Sequence, residues 1–352
     1  MKTETITLAG DVPGNSIQLR VLRFEGEDDK AVTAYLQSSL HGSELPGQAA
    51  LHFLIPMLEK AEREGRLAGN ITVVPQANPI ASAQWLAHEH LGRFDYFSSV
   101  NFNRSFPLLE GFDTSGLPGV DAPKSLAERL KAQLLRLALP HEIVLDLHCD
   151  DESESYVYIH QAFLPEMYDL ASALGSTAIL SWSSTADAAF EEACAHPVIQ
   201  LSKEERNVNR RAVTTVEFRG IADVGVETGR SDALGLYRFL VHRGVITDAA
   251  VKLDIDFKGP VTPLENVEMI RAPQGGMILF HVEIGAEVKE GDKLVTVVTI
   301  PGDAGGDIVL TAPQAGRILT RRSHRYTRRG DDLLKLLGSK RSETARPGSL
   351  EA

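Results

Sequence analysis

The stretch His41-Gly42-Ser43-Glu44-Leu45-Pro46-Gly47 decides how this chain is read. Before it, Ala31 to Leu40 is an apolar run whose Val, Tyr and Leu content suits a buried strand. After it, Gln48, Ala49, Leu51, Phe53, Leu54 and Met57 follow helical spacing, with Pro46 at the favoured first position. The motif therefore sits where a strand passes into a helix, and open α/β sheets take their ligands outside the carboxyl ends of the strands. A His and a Glu three residues apart on such a turn can converge on one cation. Zinc accepts this mixed nitrogen and oxygen set, and a catalytic zinc held by two His and one Glu keeps a fourth position open.

A second His is needed, and His148 supplies it in Ile143-Val144-Leu145-Asp146-Leu147-His148-Cys149-Asp150, where another apolar strand runs out into polar residues. Two strand ends meeting at one sheet edge would gather His41, Glu44 and His148 on one zinc ion per chain. The ordered motifs are then His41 to Glu44, Asn103-Arg104, Asp146 to His148, and Glu217 in Thr215-Val216-Glu217-Phe218. In this order the chain resembles the zinc carboxypeptidase superfamily, and within it the succinylglutamate desuccinylase and aspartoacylase family. That family carries His-Gly-x-Glu after a strand, then Asn-Arg, then Asp-x-His on a later strand, then a Glu near a strand end. A lone His-x-x-Glu would carry little weight; the ordered set carries much more. The resemblance extends to about residue 250 and departs at Asn101-Phe102-Asn103-Arg104, where the family more often has Asp-Leu before Asn-Arg.

The resemblance implies an α/β fold with a zinc-carboxypeptidase-like central mixed sheet flanked by helices. It places the general base at Glu217, after the β-branched run Ala212 to Val216; the competing reading is a strand-end Glu paired with Arg219. A base of this kind must accept a proton from the attacking water and pass it to the leaving nitrogen without ligating the metal. Arg93 matches the spacing of the family's oxyanion-stabilising Arg, a role that suits a fixed guanidinium because charge develops on oxygen only in the transition state. Its competing reading is a surface Arg paired with Asp95. Asn103 and Arg104 take the substrate carboxylate by the same resemblance, which suits the planar donor fork of Arg; alternatively they tie down a loop. Asp146, two residues from His148 and on the same strand face, is read as orienting the imidazole. Cys149 faces the other way and reads as buried and inert, and His88-Glu89-His90 reads as a solvated loop.

The composition agrees with a soluble enzyme. The chain has 352 residues, 43% of them hydrophobic, enough for one domain of enzyme size and a smaller second one. Lys plus Arg total 36 against 48 Asp plus Glu, and the resulting charge of −12 argues against nucleic acid or an anionic membrane as a partner. Two Cys, an N-terminus without an apolar signal segment and no run long enough to cross a bilayer point to the cytoplasm.

Elsewhere the pattern predicts two edge strands in Thr5 to Phe24, an irregular loop over Ile80 to Asn101 at the mouth of the site, and amphipathic helices over Leu126 to Leu139 and Ser231 to Arg243. The segment from Gly175 to Arg210 reads as a mostly loop-like insertion with one helix near Ala186 to Ala195. A catalytic domain is expected over 1–258 and an all-β domain over 259–338, since Ala272-Pro273-Gln274-Gly275-Gly276-Met277-Ile278-Leu279 recurs as Ala312-Pro313-Gln314-Ala315-Gly316-Arg317-Ile318-Leu319. This repeat resembles a biotinyl or lipoyl-type barrel-sandwich domain. A carrier role is not expected, because Val295 to Thr311 contains no Lys to modify. Arg317, Arg321, Arg322, Arg325, Arg328 and Arg329 read as a solvated basic face, with closure over the site or contact with a neighbouring copy in a homo-oligomer as alternatives. Residues 339–352, rich in Ser, Gly and charge, read as a disordered tail.

The expected function is zinc-dependent hydrolysis of an amide in a small N-acyl amino acid or related carboxylate-bearing amide. A metallocarboxypeptidase acting on short peptides uses the same residues and stays open. A non-catalytic binding protein would require this residue set to have decayed.

Overall fold

The structure, a computed structural model, describes residues 1–345. Strands β1 (Lys2–Ala9) and β2 (Ser16–Phe24) form an antiparallel hairpin, followed by β3 (Ala34–Ser38), helix α1 (Pro46–Arg63) and β4 (Ile71–Val74). The short helix α2 (Pro79–Ser82) and the two-residue strands β5 (Trp85–Leu86) and β6 (Glu89–His90) lie within the loop expected after β4. Helix α3 (Leu126–Ala138) starts at a capping box between Ser125 and Glu128 and leads into β7 (Ile143–Asp150). Next come β8 (Glu152–Ser153), β9 (Tyr156–His160), α4 (Tyr168–Leu174), β10 (Ala178–Trp182), α5 (Phe190–Ile199), α6 (Lys203–Arg206), β11 (Ala212–Gly220), α7 (Val226–His242) and β12 (Val261–Pro263).

Among the described residues, nine strands build one mixed sheet in the order β1-β2-β4-β3-β7-β11-β9-β10-β12. Its centre, β4, β3, β7 and β11, is parallel, and these strands are buried along nearly their whole length, as a sheet covered on both faces requires. The alternation of β7 shows the two coverings. Leu147 abuts Gly47 of α1, where a Cβ on the glycine would come within 2.7 Å of the Leu147 Cβ. Its neighbours Asp146 and His148 point to the other face, toward α5. One apolar core spans the sheet, and no helix among the described residues is long and apolar enough to cross a membrane.

Strands β13 (Val267–Arg271), β14 (Gly276–Phe280), β15 (Glu287–Val288), β16 (Lys293–Val298), β17 (Asp307–Thr311), β18 (Gly316–Arg321), β19 (Tyr326–Thr327) and β20 (Asp332–Gly338) make two antiparallel sheets. The sequence repeat places β14 in one sheet and β18 in the other, and Ile278, Leu294 and Val297 meet Ile318, Leu334 and Leu336 between them. The unit is a β-sandwich. It docks on the larger domain through β8, which pairs with β18, and through an apolar seam of Tyr156, Leu180, Val267, Leu319 and Leu337.

Four expectations change. The insertion expected from Gly175 contains a full strand, β10, whose Ala178-Ile179-Leu180 is buried; the apolar run is short, and its partners β9 and β12 are remote in sequence. The expected boundary at residue 259 falls inside the larger domain, because β12 adds to the main sheet and the sandwich starts at Val267. Helix α7 starts at Val226 rather than at the expected Ser231, and it buries Ala233, Leu236, Tyr237 and Leu240 while Leu234 stays exposed. Finally, residues 339–345 pack on the sandwich rather than hang free: Gln314 binds the Lys340 backbone and Ser342 bonds Glu268. The rest of the expected tail, 346–352, lies outside the described residues.

Candidate active site

Two of the three strands that carry the site end in left-handed backbone, Ser39 at φ 58° after β3 and Arg219 at φ 57° near the end of β11. Such conformations cost free energy in non-glycine residues and persist where surrounding contacts impose them. The turn after β3 is pinned by close backbone approaches. A Cβ on Gly42 would lie 2.5 Å from the Ala81 carbonyl carbon, and the Gly42 N–H donates to Gly92 O at 2.8 Å. This contact draws the loop after β6, with Arg93, onto the motif.

At the end of β7 the same turn meets His148, whose strand position is level with Glu217 of β11. His41 Nδ1 lies 2.8 Å from Glu44 Oε1, and His148 Nδ1 lies 2.7 Å from Glu44 Oε2. The donor atoms of His41, Glu44 and His148 all fall within 4.8 Å of one another, and all three residues are buried. The far side of each ring is held as well: His41 Nε2 meets Asn101 Oδ1 at 2.7 Å, and His148 Nε2 meets Asp146 Oδ2 at 2.8 Å. Gln37 donates to the other Asp146 oxygen at 2.9 Å. Two imidazoles with oriented outer nitrogens and inner nitrogens aimed at one carboxylate form a donor set that fits a divalent cation. Burial alone would raise the Glu44 carboxyl, but His41 and His148 outweigh it and hold the group well below the usual range.

Glu217 stands apart from this cluster. Its Oε2 is buried without a hydrogen-bond partner, and burial pushes its carboxyl well above the usual range. The alternative partner, Arg219, instead pairs with Asp232, with Nη1 3.0 Å from Oδ1. Arg93 Nη1 lies 3.2 Å from Glu44 Oε1, and Asp95, its expected alternative partner, caps its own turn through Ser98. Arg104 Nη1 donates to Asn103 O at 2.7 Å, and its Nε lies 3.6 Å from Asp187. Asn103 Oδ1 accepts the Phe190 N–H at 2.8 Å, so the amide N–H group is what Asn103 can offer a ligand. Burial pushes the Cys149 thiol far up, as an inert cysteine requires. The His90 ring of the His88-Glu89-His90 stretch stacks on Trp85 at 4.6 Å and lines the cavity of the cluster without joining its donor set.

His41, Glu44, Arg93, Asn103, Arg104, His148 and Glu217 all line one cavity of about 1050 Å³. Its other wall is the sandwich, through Arg271, Arg322 and residues 331–335. The Arg-rich stretch is therefore only in part a solvated face: Arg317 grips Glu154 at 2.6 Å, Arg325 grips Glu152 at 2.6 Å and Arg321 bonds Glu152, whereas the Arg328 side chain is 86% exposed. Glu152 and Glu154 belong to the larger domain, so these ion pairs fasten the two domains together. Arg206, Arg210 and Arg211 lie elsewhere, Arg210 on Glu142 and Arg211 over the Phe112 ring.

Three residues of the site escaped the sequence reading. Asn101 entered it only as a departure from the family pattern. Lys335 reaches from β20 to Asp150 and to the Tyr156 hydroxyl; its signal was a lone cation in the apolar run Leu333-Leu334-Lys335-Leu336-Leu337. Glu191, on the first turn of α5, lines the cavity beside Thr215, and its Oε2 is buried without a partner. Burial, then the charges of Glu192 and Asp146, raise its carboxyl to about 7. The consequence for stability has a definite sign. The unfolded chain loses this proton near pH 4.5 and the folded chain near 7, so stability falls as pH rises between those values. Glu191→Gln should therefore stabilise the metal-free protein by roughly 2–3 kcal/mol at pH 8 and leave it unchanged at pH 4. Urea unfolding at the two pH values measures this; an equal effect at both would show that the carboxyl is not buried as drawn.

An open α/β sheet that presents His, Glu and His with a separate carboxylate at its strand ends defines a hydrolase class of site. The succinylglutamate desuccinylase/aspartoacylase catalytic domain model matches residues 30–243, and the chain belongs to that family. The family's named activities are deacylations, which makes this chain one of a deacylase family. Among solved structures it is similar to a succinylglutamate desuccinylase/aspartoacylase family protein from Shewanella amazonensis, with 25% identity, TM-score 0.83, and coverage of 96% of this chain and 99% of that one. A family protein from Shewanella frigidimarina has 23% identity and TM-score 0.79, with coverage of 96% and 97%. The product-bound ectoine utilization protein EutE (DoeB) from Ruegeria pomeroyi has 18% identity and TM-score 0.69, with coverage of 94% and 93%. No curated protein matches the chain.

Proposed function

We propose that the protein is a zinc-dependent deacylase that hydrolyses the amide of a small N-acyl amino acid or related carboxylate-bearing amide. The observation that carries this reading is the pairing of a converged His41, Glu44 and His148 with the unpartnered carboxyl of Glu217 in one cavity. His41, Glu44 and His148 would hold the zinc, which supplies Lewis acidity at the base of the cavity.

The chain's own groups do the rest. Glu217 takes a proton from the attacking water at its unpartnered oxygen and returns it to the leaving nitrogen. Its burial favours the neutral form, and positive charge at the ligand cluster draws it back toward the carboxylate. The Arg93 guanidinium faces the oxygen on which charge develops. Asn103 through its amide N–H and Arg104 through its guanidinium hold the substrate carboxylate. Asp146 and Asn101 keep the two imidazoles aimed. The sandwich, read as a biotinyl/lipoyl-type barrel without a carrier lysine, walls the cavity through residues 331–335, which favours small substrates over the polypeptide that a carboxypeptidase would have to admit.

The test is hydrolysis of a panel of N-acyl amino acids and dipeptides by the protein as purified, after chelation, and after zinc is restored. Turnover of acyl amino acids that chelation removes and zinc restores is expected; chelator-insensitive turnover, or none, would sink the reading. One zinc per chain should bind, and His148→Ala should lose it. Full zinc stoichiometry in that variant, by elemental analysis, would remove His148 from the site.

A further inference from the structure

Glu191 is a buried carboxyl that the mechanism above does not use. It is 9% exposed, lines the same cavity as the candidate metal cluster, and keeps Oε2 without a partner. Its helix position does not account for it. The neighbouring Glu192 does the capping work of α5, accepting the Ala186 and Ala189 N–H groups at 3.0 Å each, while Glu191 turns inward to Thr215. Its surroundings are also the wrong sign for an anion. The charges that act on it most, Glu192 and Asp146, are both acidic, whereas Asp187 takes up Arg104. In a cavity that Arg93, Arg104, Arg271 and Arg322 also line, Glu191 is, with Glu217, one of two carboxyls that keep a buried oxygen without a partner among the described residues.

A buried acid left unpaired costs stability, and a cation brought against it would recover that cost while discriminating strongly against ligands that lack one. Thr215 and Glu217 lie two residues apart on one strand face, about 6–7 Å along β11, so a group held at Glu191 sits within a few bonds of an amide attacked at Glu217. The Trp182 ring, with its Nε1 also unpartnered, lines the same cavity and adds an aromatic surface suited to an alkylammonium.

We propose that Glu191 is a specificity-determining residue that receives a protonated primary amine of the substrate, so that the preferred substrate carries a carboxylate, the scissile amide and a free ammonium group. This deepens the deacylase reading and rests on it. The ammonium can belong to the leaving amino acid, as in an N-acyl diamino acid, or to the acyl group, as in an aminoacyl amino acid.

The experiment compares two pairs on the zinc-loaded full chain: Nα-acetylornithine with Nα-acetylnorvaline, and β-alanylglycine with propionylglycine. Within at least one pair the amine substrate should be preferred at least tenfold in kcat/KM. In Glu191→Gln that ratio should collapse to less than threefold; the pair affected says which side of the amide bears the amine. Equal turnover within both pairs by the wild type, or an undiminished preference in Glu191→Gln, overturns the proposal. If the wild type hydrolyses nothing in the panel, the deacylase reading itself fails, and Glu191 is judged by calorimetric titration of ornithine and β-alanine against norvaline and propionate. Amine-dependent binding that Glu191→Gln abolishes upholds the site, and its absence in the wild type removes it.

Discussion

Glu217→Gln is expected to lower turnover by roughly two to four orders of magnitude while the protein keeps its fold and its metal, the usual worth of a positioned proton-transfer group. Gln preserves the shape of the side chain and cannot take the proton. Glu217 makes no hydrogen bond through Oε2 and does not belong to the His41, Glu44 and His148 cluster, so neither the sheet nor the metal ligands lose a contact. Burial raises this carboxyl above the ordinary range in the metal-free protein and a cation at the ligand cluster would lower it again, so the test is the acid limb itself: the variant's residual activity should lack the limb that the wild type shows. Turnover close to wild type in a folded, zinc-replete variant would rule out Glu217 as the base.

Arg104→Ala should reduce kcat/KM by the equivalent of roughly 2 to 4 kcal/mol for a carboxylate substrate, since a desolvated anion would lose its charged partner. Lys should rescue only part of the loss because it lacks the planar fork. The decisive comparison pairs each acid substrate with its neutral amide. Wild type should discriminate strongly and Arg104→Ala should not. Equal discrimination by both proteins would move carboxylate recognition to the sandwich side, where Arg271 and Arg322 line the same cavity. Arg206, Arg210 and Arg211 do not line it, and their ion pair, backbone and aromatic contacts lie elsewhere.

Much of the larger domain was legible in the chain because the signals are local. Apolar runs ending in polar residues mark β3, β7 and β11, Pro46 marks the start of α1, the amphipathic spacing of its leucines marks α3, and the spacing from His41 to Glu44 is set within one turn. The convergence of His41, Glu44 and His148 follows once β3 and β7 are neighbours, since parallel strands bring their carboxyl ends to one edge. The alternation along β7 likewise places Asp146 on the His148 face and Cys149 on the other.

What only the tertiary structure decided involves partners far apart in sequence. Asn101 reaches His41 across 60 residues through a loop without periodicity, and Arg93 is delivered by a backbone contact between Gly42 and Gly92. Lys335 comes from a different domain, and the basic stretch looked solvated because its acidic partners, Glu152 and Glu154, lie more than 160 residues away. Glu191 had no sequence signal at all: an acid in the first turn of a helix is ordinary, and burial against Thr215 is what makes it otherwise. Local order here follows from spacing along the chain, which the sequence states directly; the electrostatics of the cavity follow from which remote charges are brought together and which are left alone, and only the packed fold determines that.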